Sequence, residues 1–267
     1  MKRILVFVLM FCITVCSLSS CASKNTISVT SPDYPSLTKM IASSFDREQA
    51  QLATLPEYPY NDYQCVVSEE NGVLCIRSQS QADGSYQKGF DNGYFLGVDM
   101  GEFDGWVKYY PYYTNVTGDS DVRLVSNENC CGIIKRNNQN GYILTGTRST
   151  LSTMPSAGSV YVIHYSQDVA AWTWETKISL DGFPIAYYFS EGAHQLLIVT
   201  DQSILRITEQ NEVETLIKSD LIKQIHANSI VCMDGIIYCG SPLGVYSFDP
   251  SNGVEAWYPM DYEKHVK

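Results

Sequence analysis

Residues 229–258 read SIVCMDGIIYCGSPLGVYSFDPSNGVEAWY. Four short apolar or aromatic runs alternate there with the turn signals Asp234-Gly235, Ser241-Pro242 and Ser251-Asn252-Gly253. Such pairs supply the positive or fixed φ that tight turns demand, so the stretch predicts a four-stranded antiparallel meander. The pattern recurs upstream. VYSFDPSNGVEAW from Val245 aligns with VYVIHYSQDVAAW from Val160, sharing Val-Tyr and then Ser, Val, Ala and Trp at six, nine, eleven and twelve residues from the first Val. The offset of 85 residues leaves room for two units of about 42. The interval holds such a unit in IAYYFSEG, QLLIVTD, SILRITE and VETLIKS. Earlier, GYILTGT at 141 matches GIIYCGS at 235, with nine extra residues at 148–156 before the next strand. Residues 73–125 form a looser unit, VLCIRS, YFLGVD, WVKYY and VRLV, broken by a hydrophilic loop at 79–92.

Four strands per unit at this spacing is the period of a β-propeller, in which each small sheet buries its faces only against its neighbours. The expected fold is therefore all-β, a propeller of four-stranded blades over residues 61–267, with a sandwich or irregular β domain as the alternative. Four blades are legible. Gln64 to Ser68 reads as a further strand, which leaves room for a fifth, partial blade completed by the N-terminal segment. Nineteen tyrosines and eighteen glycines suit half-buried strands joined by tight turns.

The chain begins differently. Lys2 and Arg3 precede an apolar run from Ile4 to Val15 that is too short to span a bilayer, the pattern of a secretory signal at residues 1–20. Leu18-Ser19-Ser20-Cys21 resembles the bacterial lipobox. That resemblance implies signal-peptidase recognition of Leu18, Ser19 and Ser20, diacylglycerol on Cys21, and anchorage to the outer face of the cytoplasmic membrane or to an outer membrane, with membrane lipid as the first partner. A soluble secreted protein is the alternative. Residues 21–35 then read as a tether. In 36–60, Ser36 caps a predicted N-terminal helix whose apolar residues Leu37, Met40, Ile41, Phe45, Leu52 and Leu55 fall mostly three or four apart between Pro35 and Pro56.

Loss of the signal takes Lys2 and Arg3 with it and moves the formal charge from −11 to −13. No stretch concentrates Lys and Arg, so nucleic acid is not an expected partner.

The final unit carries Val-Tyr-x-Phe-Asp-x-x-x-Gly with Trp257 four residues after Gly253, and it resembles the repeat of quinoprotein-type propellers. The stretch 93–258 is similar to uncharacterised bacterial envelope propellers with a Gly-Glu-Phe-x-Gly segment, here Gly101-Glu102-Phe103-Asp104-Gly105. Both resemblances imply a blade architecture; neither implies an activity, and no cofactor is expected.

Chemistry has to be sought residue by residue. His164, His194 and His226 each stand alone, without HExxH or other metal spacing, and no GxSxG marks a serine nucleophile. No metal ligand set and no catalytic residue is assigned. VDMGEFDGWVKYYPYY at 98–113 is the candidate binding surface, with Asp99, Glu102, Asp104 and Trp106 as its contacts. Carboxylates beside aromatic rings suit a saccharide or a cation, while the same residues could be a glycine-rich turn packed between blades. Calcium at Asp99, Glu102 and Asp104 would not follow EF-hand spacing. Six cysteines remain after Cys21, and two pairs, Cys65 with Cys75 and Cys232 with Cys239, flank hairpin turns and could bridge them; adjacent Cys130 and Cys131 would close a strained ring.

The functional expectation is a membrane-anchored, extracytoplasmic, non-catalytic binding module for a saccharide, peptide or envelope protein, with loops at 79–92 and 148–159 as recognition elements. The alternative is an envelope hydrolase or lyase, which needs residues such as Glu102, His164 and His226 to meet at the propeller axis.

Overall fold

A computed structural model of the chain describes residues 63–80, 85–101, 103–112, 122–147, 156–242 and 244–259. The signal, lipobox, tether and helix expected in residues 1–60 lie outside them, as do Glu102 and the side chain of Asp104. Among the described residues, eighteen strands form one two-stranded and four four-stranded antiparallel sheets, each ordered as in the sequence. The two-stranded sheet is β1 (Tyr63–Glu70) and β2 (Val73–Ser80). Blade 1 is β3 (Ser85–Phe90), β4 (Gly93–Met100), β5 (Phe103–Pro111) and β6 (Val122–Ser126). Blade 2 is β7 (Asn129–Lys135), β8 (Asn140–Thr147), β9 (Ala157–Ser166) and β10 (Ala171–Asp181). Blade 3 is β11 (Pro184–Ser190), β12 (Gln195–Thr200), β13 (Ser203–Ile207) and β14 (Val213–Lys218). Helix α1 (Asp220–Ile225) leads into blade 4, which is β15 (Ser229–Met233), β16 (Ile236–Ser241), β17 (Gly244–Asp249) and β18 (Val254–Pro259).

This is a β-propeller. Blade 1 packs on blade 2, 2 on 3 and 3 on 4, each through the next blade's first strand, and β15, β16 and β17 of blade 4 pack on β1 of the two-stranded sheet. Four apolar clusters fill these four seams. Phe95, Val107 and Tyr109 of blade 1 meet Cys130, Ile143 and Trp172 of blade 2. Tyr142, Leu144 and Val162 meet Leu196, Ile198 and Leu205 of blade 3. Leu197, Val199 and Ile204 meet Ile237, Tyr246 and Trp257 of blade 4. Val231, Tyr238 and Val245 meet Cys65, Val67, Leu74 and Ile76 of the two-stranded sheet. Both faces of the middle strands are consumed, and β8, for example, buries six consecutive residues. Antiparallel strands read as near-continuous apolar runs only when both faces are covered.

The repeats map as expected, with Val160 and Val245 on third strands and Trp172 and Trp257 on fourth strands. Two readings change. VLCIRS is β2 and pairs with β1 rather than opening blade 1; that role falls to SYQKGF, β3, inside the stretch read as a hydrophilic loop. Of the side chains from Tyr86 to Phe90 only that of Phe90 is buried, so an apolar pattern is missing and pairing with β4 alone makes the strand.

The cysteines do not face each other. Cys65 lies opposite Ser78 and Cys75 opposite Ser68, an offset of three that puts them on opposite faces of the sheet. Cys232 lies opposite Ile237 and Cys239 opposite Ile230, a diagonal placement about 7–8 Å apart and beyond disulfide reach. All six stand as thiols. Burial pushes the Cys65 and Cys130 thiols up to about 12, and Cys239 is raised for the same reason.

Close approach at the seams depends on missing side chains. A Cβ on Gly240 would collide with the Cys65 carbonyl oxygen and the Ser229 hydroxyl, and one on Gly146 would lie 2.6 Å from the Phe183 ring. Gly192, in a turn, has nothing within 4 Å. Gly240→Ala is therefore expected to cost about 2 kcal/mol, whereas Gly192→Ala stays within about 0.5 kcal/mol of the parent. Urea unfolding of the two variants checks the contrast.

Candidate functional site

First strands begin, and the turns joining second to third strands lie, at one end of the blades. Six of the buried polar residues gather there: Asn129, Thr145, Ser159, Thr200, Ser203 and Ser241. Most buried polar groups are hydrogen-bonded, and Asn129, Thr145, Thr200 and Ser203 make such bonds here. Asn129 Oδ1 accepts from Met100 N at 3.0 Å while Asn129 Nδ2 donates to the Gly101 carbonyl, so a residue of blade 2 holds the β4–β5 turn of blade 1. Gly101 takes φ +70°, and a Cβ on Gly105 would lie 2.6 Å from Asn129 Cα. Both glycines of the Gly-Glu-Phe-Asp-Gly segment thus serve this clasp. In blade 3, Thr200 Oγ1 accepts from Gln202 N and Ser203 N, and Asp201 Oδ1 accepts from Phe183 N at 2.8 Å. Between blade 4 and the two-stranded sheet, Ser229 Oγ accepts from Val67 N at 2.8 Å and donates to Asn228 Oδ1.

Next to Asn129, the Glu128 carboxylate accepts from three side chains. Thr145 Oγ1 donates to its Oε2, and Tyr161 OH and Lys177 Nζ donate to its Oε1. Lys177 also stands 5.0 Å from the Tyr161 ring centre, and Trp174 meets that ring edge-on at 5.6 Å. Burial alone would raise the Glu128 carboxyl; the hydrogen bonds from Lys177, Thr145 and Tyr161 and the ammonium charge outweigh it and hold the group below 4.5. Lys177 is held up by the same hydrogen bonds from its side.

The sequence-selected set is divided. Asp99 Oδ1 accepts from Gly101 N at 2.8 Å at the polar end, and its charge acts on Tyr86 and Cys130 toward blade 2. Trp106 lies opposite Val98, on the other face of the sheet, with Lys108 Nζ 5.3 Å from its ring. The hairpin therefore brings Asp99 to the polar end and turns Trp106 away. The histidines are scattered as well. His164 pairs with Asn140 and Thr173 near the far end of blade 2, with Nδ1 3.7 Å from Glu175 Oε2; His194 is in a far-end turn; His226 ends α1 at the polar end with φ +49°. Among the described residues no three His, Cys, Asp or Glu side chains converge as a metal site requires.

Two features escaped the sequence reading. The Glu128 network joins residues 128, 145, 161 and 177, which no local motif connects. Helix α1 had a legible signal in Ser219-Asp220: Ser219 Oγ accepts from Ile222 N, and Ile222 and Ile225 are buried beneath.

Because the Glu128 pKa is depressed on folding, its contribution to stability is complete above its unfolded value of 4.5 and is lost as pH falls through the folded value. Glu128→Gln removes that dependence. Denaturation curves between about pH 6 and pH 3 should show the parent losing more stability than the variant across the acid limb.

No protein-family model matches this chain, and no curated protein matches it. Among solved structures it is similar to a putative 6-phosphogluconolactonase from Bacteroides fragilis at 13% identity, covering 75% of this chain and 68% of that one with a TM-score of 0.40. It is also similar to a subtype N11 neuraminidase-like protein from a flat-faced bat isolate (9% identity, 76% and 73% covered, TM-score 0.39). A functionally unknown protein from Desulfotomaculum acetoxidans gives 9% identity, 73% and 82% coverage and a TM-score of 0.31. The propeller assignment rests on the sheets themselves.

Proposed function

We propose that this chain is a lipid-anchored, extracytoplasmic propeller that binds a polar ligand at its polar end, a saccharide, a peptide or a segment of an envelope protein, without catalysing its conversion. The observation that carries the reading is the set of side-chain clasps there. Connections that would otherwise move are held by Asn129, Thr200, Asp201 and Ser229, and a rigid scaffold presenting loops is what recognition uses. Among the described residues, no salt bridge reaches Asp99 or Asp201, whereas Lys177, Lys218 and Lys223 are each paired with a carboxylate. The end thus presents acceptors, which suits hydroxyl and ammonium donors. Against the hydrolase or lyase alternative stands the separation of His164 and His226 at opposite ends of the blades. The lipobox supports the anchor, and Cys21 carries it.

One experiment has two arms. In the first, residues 22–267 are screened by thermal shift against cell-wall saccharides, cationic peptides and calcium. A ligand at 100 times its Kd adds about 2.7 kcal/mol, or about 5–10 °C, and the shift disappears in Asp99→Asn or Asp201→Asn, which keep the turn-holding Oδ1. In the second, the full-length protein partitions with detergent and Cys21→Ser moves to the aqueous phase. A ligand shift indifferent to both Asn variants would place the site elsewhere, and unchanged partitioning would remove the anchor.

A further inference from the structure

β10 is the free edge of blade 2, pairing only with β9, and a bulge breaks its register. Trp174 lies opposite Ile163 and Thr176 opposite Val162, so Glu175 has no partner across the ladder. The extra residue changes which side chains share a face. Residues three apart on a regular strand point to opposite faces, but Trp174 and Lys177, opposite Ile163 and Tyr161, fall on the same one. Tyr161 connects them: Trp174 meets its ring edge-on at 5.6 Å, and Lys177 Nζ stands 5.0 Å from its centre. Glu128 enters from the turn before β7, and its Oε1 accepts from Lys177 Nζ at 2.5 Å and from Tyr161 OH at 2.9 Å. Of the chain's four tryptophans, Trp172 and Trp257 are buried and Trp106 is half-buried, whereas Trp174 is 47% exposed.

A bulge and charged side chains guard an edge strand against pairing with another chain, which accounts for Glu175 and Lys177. It does not account for a large aromatic ring turned to water at the same place. The geometry points to a saccharide-binding site on this edge, with Trp174 as the stacking platform and Lys177 and Glu128 as hydrogen-bonding partners of the sugar hydroxyls. A pyranose ring presents C–H groups on its faces, which suit an aromatic plane, and hydroxyls at its rim, which both donate and accept. The face beside Trp174 offers both kinds of partner. The Lys177 ammonium has N–H groups beyond the one given to Glu128, and among the described residues the second Glu128 oxygen holds a single hydrogen bond, from Thr145. Both side chains reach solvent, 39% exposed for Lys177 and 21% for Glu128. Their charges offset each other, and Glu175 turns to His164 on the other face at 3.7 Å, so a neutral sugar rather than an ion is the class of ligand that fits. Because the lysine and the carboxylate are fixed in place by Thr145 and Tyr161, little side-chain ordering is left for the ligand to impose. The site is distinct from the acceptors Asp99 and Asp201 and does not rest on the reading of the polar end.

Saturation-transfer difference NMR on the full chain tests this with cellotetraose, maltotetraose and tri-N-acetylchitotriose, each at about 10 mM, enough to fill most of a site with a Kd of about 1 mM. At least one of the three receives saturation, strongest at the C–H protons of one ring. Trp174 is exposed, so Trp174→Ala folds as the parent does, and it weakens that binding by at least about tenfold, while Trp174→Tyr keeps it within about threefold. Lys177→Met also weakens it, and Asp99→Asn leaves it unchanged, which separates this site from the polar end. No saturation of any of the three saccharides overturns the proposal. Equal affinity in the parent and Trp174→Ala does the same, as does binding lost in Asp99→Asn but kept in Trp174→Ala.

Discussion

A small sheet with apolar residues on both faces cannot stand in water, and everything else in this chain follows from that. β8 and β17 bury six consecutive residues each, so their blades need a neighbour on either side. Among the described residues, packing of each blade on the next and of β15, β16 and β17 on β1 supplies four such junctions. Each occupied seam has a tyrosine at its centre: Tyr109, Tyr142, Tyr246 and Tyr238, none more than 5% exposed. The phenol ring supplies a large apolar area at the cost of one hydroxyl to satisfy, which Tyr246 does on Glu255 at 2.9 Å.

Close packing also decides what the glycine-rich segment at 101–105 is for. Gly101 frees a carbonyl for Asn129 Nδ2, and Gly105 leaves space for the Asn129 backbone. The aromatic and acidic hairpin that suggests a ligand surface in the sequence also lends Val107 and Tyr109 to the seam with blade 2. The acidic half stays at the polar end through Asp99, and the aromatic half, with Trp106 and the stacked tyrosines, lies on the face of blade 1 opposite its seam with blade 2. One hairpin therefore contributes to two surfaces because successive side chains of a strand point to opposite faces.

The fold was legible where side chains repeat. Val-Tyr and Trp at fixed offsets from Val160 and Val245 mark third and fourth strands because those residues fill equivalent seam positions. β3 was not legible, since Gln87, Lys88 and Gly89 are exposed and only backbone pairing to β4 defines the strand. The disulfide suggestion came from cysteines placed symmetrically about turns; register, fixed by which face is apolar, set Cys65 and Cys75 on opposite sides. The Glu128 network could not be read at all, because residues 128, 145, 161 and 177 meet only through the order of strands in blade 2. Asp99 and Trp106 were chosen together as ligand contacts; their separation onto opposite faces is a property of the pleat rather than of the spacing.

Hydroxyl-radical footprinting of the native protein tests the ring of seams most directly, because each filled seam carries its own tyrosine. Tyr109, Tyr142, Tyr238 and Tyr246 should stay unoxidised at doses that modify Tyr112, and should become reactive together on unfolding. Oxidation of any one of the four at the rate of Tyr112 in the native state would mean that its seam is open, and the propeller described here would be contradicted at that junction.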